Sequence, residues 1–278
     1  MPAPTDSAKN IGWLIFDVES VADGQLVSDI RYPGEGLAAG EAIDRYRAEL
    51  IEQYGTDFVP YTYQVPVSVV VAKLDPGFRL LDVVALDEPE FRPHEIAERF
   101  WRGWLGYHKP TLVSFNGRGF DVPLLELAAF RFGISAPAWF NLDDRTWDQR
   151  RNRYNLKSHF DLQDFFTNFG ASRVSGGLNL IARLIGKPGK MNVTGDQVQD
   201  LYNQGRLQEI SDYCRCDVLD TYFVFLRASV VRGQLSLDEE EKLVAQTRQW
   251  IEDQADDQAG YAAYLEQWGD WNNPWAEA

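Results

Sequence analysis

The sequence predicts an α/β protein with a central mixed sheet flanked by helices, and three features lead there. An apolar run over Ile11–Phe16 is too short for a helix and reads as a buried strand. Two β-branched runs, Val65–Leu74 and Arg79–Leu86, are joined by the turn Asp75-Pro-Gly-Phe78 and form a hairpin, which is antiparallel by construction. A further strand over Thr111–Phe115 follows a helical pattern and precedes another, so strands and helices alternate along this part of the chain.

The first strand ends by switching from apolar residues to Asp17 and Glu19. Side chains on a strand repeat every two residues, so both carboxylates point to one face at its exit. An open α/β sheet places its ligand site at the carboxyl ends of strands, and hard cations such as Mg²⁺ take oxygen ligands of this kind. Solvated charges at a strand end are the plainer reading, and Asp238 and Glu240 repeat the spacing in an ordinary helix start.

A polar insertion follows over residues 21–57, with a helix over Ala39–Tyr54 bounded by Gly36, Gly40 and Gly55. Beyond the hairpin, Arg92–Gly106 carries Ile96, Phe100, Trp101, Trp104 and Leu105 at helical spacing, which marks a core face. Asn116-Gly-Arg-Gly-Phe-Asp121 then leaves a strand and enters a helix over Val122–Phe132. Gly117 and Gly119 permit a tight backbone path, and Pro123 suits a first helical turn. Asp121 at this junction is either a helix cap or a functional acid.

Arg145, Arg150, Arg151, Arg153 and Lys157, interleaved with Trp147 and Tyr154, suit a single-strand groove or a solvated loop. A strand over Asn155–Phe160 and helices over Asp161–Phe169 and Leu178–Ile185 come next. The loop Gly186-Lys-Pro-Gly-Lys190 lacks the spacing of a phosphate loop. Leu207–Arg232 is the longest helix, and on it Tyr213 and Asp217, four apart, share a face. Of the twelve tyrosines only Tyr213 has an acid four residues later. The tail, residues 236–278, gives one or two acidic helices and a Trp-rich end, to pack on the body or to meet a second copy or another protein.

A net charge of −15 argues against a surface that coats nucleic acid non-specifically. From Ser236 onward eleven acids face two bases, a net of −9, which leaves −6 for the rest. A weakly acidic body can still bind a phosphodiester where metal ions supply positive charge locally. The polar first ten residues and the brief apolar run do not read as a secretory leader, and no stretch approaches the roughly 18 apolar residues of a membrane span. Cys214 and Cys216 sit two apart on a helix, where they diverge. A reducing, cytoplasmic setting is the expectation.

Taken in chain order, Asp17-x-Glu19, Asn116 to Asp121 and Tyr213-x-x-x-Asp217 resemble the tyrosine-type DEDD 3′→5′ exonucleases. The closer resemblance is to the exonuclease domain of family B DNA polymerases, and to stand-alone bacterial proteins predicted to be related to it. It is also carried by Phe58-Val-Pro-Tyr-Thr-Tyr-Gln-Val-Pro66, Tyr154, His159-Phe-Asp-Leu162, Gly186 to Lys190 and Asp212-Tyr-Cys-Arg-Cys-Asp-Val218, and it runs from about Ile11 to Arg232.

The resemblance implies a ribonuclease H-like domain over residues 1–235, followed by the helical tail. It implies two-metal hydrolysis of phosphodiesters at 3′ ends of single-stranded nucleic acid, DNA somewhat ahead of RNA, with Mg²⁺ or Mn²⁺ as cofactor. Asp17 would be the shared ligand, with Glu19 and Asp217 on the ion that activates water and Asp121 on the leaving-group ion. Tyr213 would orient the water, and Asn116 and Phe120 would position the terminal nucleotides. His159 and Asp164 have the spacing of the histidine-type subfamily, but they straddle a strand-to-helix boundary, and Asp212 stands five before Asp217. The competing readings are a catalytically silent binding module of the same fold and an exoribonuclease that processes RNA 3′ ends.

Overall fold

The computed structural model describes residues 11–189 and 197–276. Its five strands are β1 (Trp13–Ala22), β2 (Gln64–Leu74), β3 (Leu80–Ala85), β4 (Thr111–Ser114) and β5 (His159–Asp161), in the order β3-β2-β1-β4-β5. β2 runs antiparallel to both β1 and β3, while β4 runs parallel to β1 and to β5. The sheet is therefore mixed, with β2 reversed, and helices flank it as in a ribonuclease H-like fold.

β1 is the central strand and reaches further than the apolar run alone indicates. Its pairing with β2 continues from Trp13↔Leu74 to Ala22↔Gln64, whereas its pairing with β4 covers only Trp13 to Ile15. Asp17 and Glu19 therefore lie within β1, not at its exit, and beyond the last residue paired to β4. Alternate residues enter different layers. Phe16 meets Phe100 of α3 (Pro93–Gly106), with ring centroids 5.1 Å apart, and Trp13 meets Phe225 of α8 (Leu207–Val231) at 5.0 Å. The aromatic stripe of α3 is core as expected, except that Leu105 is 43% exposed near the helix end.

Other elements depart from the sequence reading for local reasons. The strand expected over Asn155–Phe160 is confined to β5, because the Asn155 amide donates to the carbonyls of Asp148 and Gln149 and folds the approach into turns. The insertion carries α1 (Gly24–Arg31), capped by Asp23, before the expected α2 (Ala39–Tyr54). These two helices bury Val27, Tyr32, Ile43, Tyr46 and Leu50 in a small core of their own. Asp23 also pairs with Arg131 of α4 (Asp121–Phe132) at 2.6 Å, tying the lobe to the body. The remaining helices are α5 (Leu162–Thr167), α6 (Gly177–Leu184), α7 (Val198–Asn203), α9 (Leu237–Glu252) and α10 (Ala259–Glu266).

The tail packs on the body. Ile251 of α9 and Tyr261 and Tyr264 of α10 are fully buried in the main core. The Tyr264 hydroxyl donates to Asp220 at 2.7 Å, and Arg227 donates to both oxygens of Glu240 at 2.8 and 2.7 Å. Among the described residues no helix is long and apolar enough to cross a membrane.

Asp87 fastens α3 to the sheet. It accepts from Arg92 through the backbone N–H, Nε and Nη2, and forms an ion pair with Arg99 at 2.6 Å. The bonds from Arg92 hold its carboxyl down at about 2. Its native pKa lies below the unfolded value, so the stabilisation is complete above about pH 4 and fades as pH falls toward 2. Asp87→Asn is expected to cost about 1–2 kcal/mol at pH 7, the lower part of the range for charged hydrogen bonds because both arginines are partly solvated. Urea unfolding of the two proteins at pH 7 and pH 3 checks this, and the gap narrows at the lower pH. Truncation after Ser236 uncovers the α8 core and is expected to abolish cooperative unfolding, as read by calorimetry.

Candidate active site

The site begins with the odd-numbered face of β1. Asp17 stands opposite Val70 and Glu19 opposite Ser68 on β2, and the register shifts immediately after Glu19. Such a bulge re-aims the side chains beside it. Facing this strand, α8 presents Tyr213, Cys214 and Asp217, where the four residues from Tyr213 to Asp217 and the three from Cys214 to Asp217 keep them on one side of a helix. The Cys214 thiol donates to the main-chain oxygen of Asp17 and to its Oδ2, both at 3.4 Å. The Tyr213 hydroxyl lies in the field of the Asp217, Glu19 and Asp17 carboxylates.

Asp121 arrives from the next strand. After β4 the chain turns through Asn116, at φ +65°, and Gly117 into α4, whose first residue is Asp121. A Cβ on Gly117 would stand 2.8 Å from Asp121 Oδ2 and nearer still to Ser114 Oγ, so the turn closes only around glycine. Asp161, at the end of β5, accepts from the backbone N–H groups of Asn116 (2.9 Å), Arg118 (2.8 Å) and Gln163 (2.9 Å) and pins the loop. The capping position of α4 belongs to Phe120, so capping does not account for an Asp121 that is 5% exposed.

The electrostatics follow from burial. Burial raises the Asp17 carboxyl above its usual range and Asp121 further, the latter with added repulsion from Asp17 and Asp161. Burial, then Asp217, Glu19 and Asp17, push the Tyr213 hydroxyl far up, so it keeps its proton. The Cys214 thiol rises for the same reasons and stays a donor.

Acids that disfavour one another's ionisation in a buried site gain from a cation between them. Ligand atoms of Asp17, Glu19 and Cys214 all lie within 4.8 Å of one another. Carboxylate oxygens suit a hard dication, and a protonated thiol bonded to Asp17 orients that ligand without being one. The donor set therefore fits a hard divalent cation.

Asp17 and Glu19 gather with Cys214, Asp121 lies in the field of Asp17, and Tyr213 in the fields of Asp217, Glu19 and Asp17. The five expected residues thus approach from three segments, while Asp121 and Asp217 stand outside the tight Asp17–Glu19–Cys214 cluster among the described residues. Asn116 is exposed on the adjoining turn, and its Oδ1 accepts from Gln163 at 3.0 Å. Phe120 is half-buried against Phe58 and Tyr61, at 5.7 and 6.5 Å between centroids. His159 is a core residue, with Nε2 2.7 Å from Ser114 Oγ, and burial lowers its pKa. Asp164 is held by Arg118 at 2.9 Å.

The basic stretch is largely tied to the body: Arg151 to Glu126, Arg153 to Asp164, and Arg150 to the Lys109 carbonyl. Lys187 is buried against Trp268 and Phe223, and Lys190 of the same loop lies outside the described residues. Sequence reasoning missed Cys214 and Asp161. Asp161 had a signal, an acid between a strand and a helix, whereas nothing in a helical Cys beside Tyr213 marks it as a donor to a residue 197 positions away.

Gly117→Ala is expected to destabilise the fold by about 1–3 kcal/mol, since overpacking at a closed turn must displace Ser114 or Asp121. Gly40→Ala, on an open helical position, is expected to be neutral or stabilising by up to about 1 kcal/mol. Parallel urea unfolding curves check both.

No curated protein matches the chain. The model of one protein family, described as predicted 3′-5′ exonuclease related to the exonuclease domain of PolB, matches residues 56–268. That span takes in α9 and α10, beyond the expected limit near Arg232, and starts after β1, so Asp17 and Glu19 join the site through the fold and not through the match. With more than half of its length matched, the chain belongs to this family of predicted 3′-5′ exonucleases related to the exonuclease domain of DNA polymerase B.

Proposed function

We propose that the protein hydrolyses phosphodiester bonds from the 3′ ends of single-stranded nucleic acid, DNA ahead of RNA, with two divalent ions, Mg²⁺ or Mn²⁺, as cofactor. The reading is carried by the convergence of Asp17, Glu19, Asp121, Tyr213 and Asp217 from β1, the head of α4 and the middle of α8. Asp17 would be the common ligand, Glu19 and Asp217 would hold the ion that activates water, and Asp121 would hold the ion that relieves charge on the leaving group. When bound, the ions acidify a water and neutralise charge on the attacking and leaving oxygens.

The chain's own residues supply position and shielding. Cys214 fixes the Asp17 carboxylate by donating to Oδ2. Tyr213 keeps its proton beside Asp217 and orients the attacking water through its hydroxyl, since a hydroxyl pushed so far above neutrality is no base. Asn116 holds the terminal nucleotide, and Phe120 offers a face on which a base stacks without regard to its identity.

The test uses matched 5′-labelled DNA and RNA strands with Mn²⁺, Mg²⁺ or EDTA. Stepwise shortening from the 3′ end is expected only with metal, and faster on DNA. Asp17→Ala should lose more than the roughly 10–100-fold typical of an outer-shell change. Tyr213→Phe should lose about a hundredfold, within the span of a lost proton-handling group, while a folded His159→Ala keeps its rate. Wild-type protein that shortens neither strand with either metal, yet binds as Asp17→Ala does, would be a silent binding module. Shortening of RNA alone would make it an exoribonuclease.

A further inference from the structure

The acids at the centre of the site attract a cation, but a nucleic acid strand also needs positive charge where its other phosphates lie. The basic stretch at 145–157 is largely occupied by Glu126, Asp164 and the Lys109 carbonyl. A different arginine stands beside the acids. A cavity of about 320 Å³ adjoins Glu19, and α2 contributes Arg47 to its lining, together with Gln64, Asp57, Phe58 and Phe120. The volume is at the small end of ligand pockets, about 300–1,000 Å³.

Arg47 differs from the other arginines of the lobe. Arg31 pairs with Glu49, and Arg45 with Glu35 and Glu49. Arg47 forms no ion pair among the described residues, and its Nε is buried without a hydrogen-bond partner. Leaving such a donor unsatisfied costs free energy that a ligand oxygen would recover.

The aromatic side of the cavity is equally incomplete. Phe58 is 57% exposed although it packs on Phe120, which leaves ring surface open on the cavity that Arg47 also lines. A planar cation beside open aromatic faces matches one nucleotide unit, phosphate on the guanidinium and base on the rings. A second cavity, of about 550 Å³, shares Val21, Ala22, Arg47 and Gln199 with the first, so Arg47 borders both.

We propose that Arg47 of the α1–α2 lobe, with Phe58 and Phe120, forms a strand-gripping subsite beside Glu19 that binds a phosphodiester of the single strand whose 3′ end is being cut. This rests on the exonuclease reading and assigns a task to the insertion. Arg47 grips substrate away from the reacting bond, so its removal affects binding more than chemistry.

The experiment compares wild type, Arg47→Ala and Arg47→Lys in two ways: kcat and KM on a single-stranded oligonucleotide with Mn²⁺, and anisotropy of the same labelled strand in EDTA at several salt concentrations. Arg47→Ala should raise KM and Kd about tenfold, hold kcat within about twofold, and lower the salt slope by about one. Arg47→Lys should restore the slope but only part of the affinity, because an ammonium does not reproduce the fork of a guanidinium. Arg47→Ala that cuts with wild-type KM, Kd and slope overturns this proposal alone, as does an equal fall in kcat with a lowered Tm, the mark of a structural role. Wild-type protein that neither binds nor shortens the strand overturns the exonuclease reading and this subsite with it.

Discussion

The alternation of β1 is the constraint on which both core and site depend. Its even residues, Leu14, Phe16 and Val18, are buried, and Phe16 meets Phe100 in the α3 layer. Its odd residues run from Trp13 against α8 to Asp17 and Glu19 beside Tyr213 and Cys214. A slip of one residue against β2 would turn both carboxylates into the α3 layer and Phe16 into the cleft, so no stable alternative register competes. The packing that holds Ile15 and Phe16 in the interior thus sets the direction of the acids two positions later.

Much of this was legible because long periodic elements announce themselves. The hairpin of β2 and β3, the stripe of α3 and the length of α8 follow from patterns that packing had no reason to override. The same reasoning stops β1 too early, since it reads Asp17 as the end of an apolar run, while strand pairing with β2 continues to Ala22 regardless of polarity. α1 is short and starts on Asp23-Gly24, a pair that also serves as a turn, so only its packing on α2 makes it a helix. The loss of Asn155–Lys157 from β5 depends on side-chain bonds to the backbone several residues earlier.

The candidate site divides along the same line. Asp17, Glu19, Asp121, Tyr213 and Asp217 are readable as residue types at fixed spacings and through the resemblance that their order carries. Asp161 and Cys214 act by hydrogen bonds to the backbone of Asn116 and Arg118 and to Asp17, contacts that no spacing encodes. Charge was misleading in a similar way. A cluster of arginines in sequence proves mostly tied down in space, whereas Arg47, unremarkable in sequence, stands with a buried donor unsatisfied.

The span between Asp17 and its α8 neighbours also sets an order of assembly. The thiol that fixes Asp17 lies 197 residues further along the chain, and the outer face of α8 is covered in turn by Ile251, Tyr261 and Tyr264. Contacts so distant in sequence close late, after the intervening segments have formed. During synthesis the first strand therefore carries its carboxylates for most of the chain's emergence with no second wall opposite them. A cleft of this design is latent by construction: a nascent or prematurely ended chain has acids but no enclosure until α8 packs opposite β1.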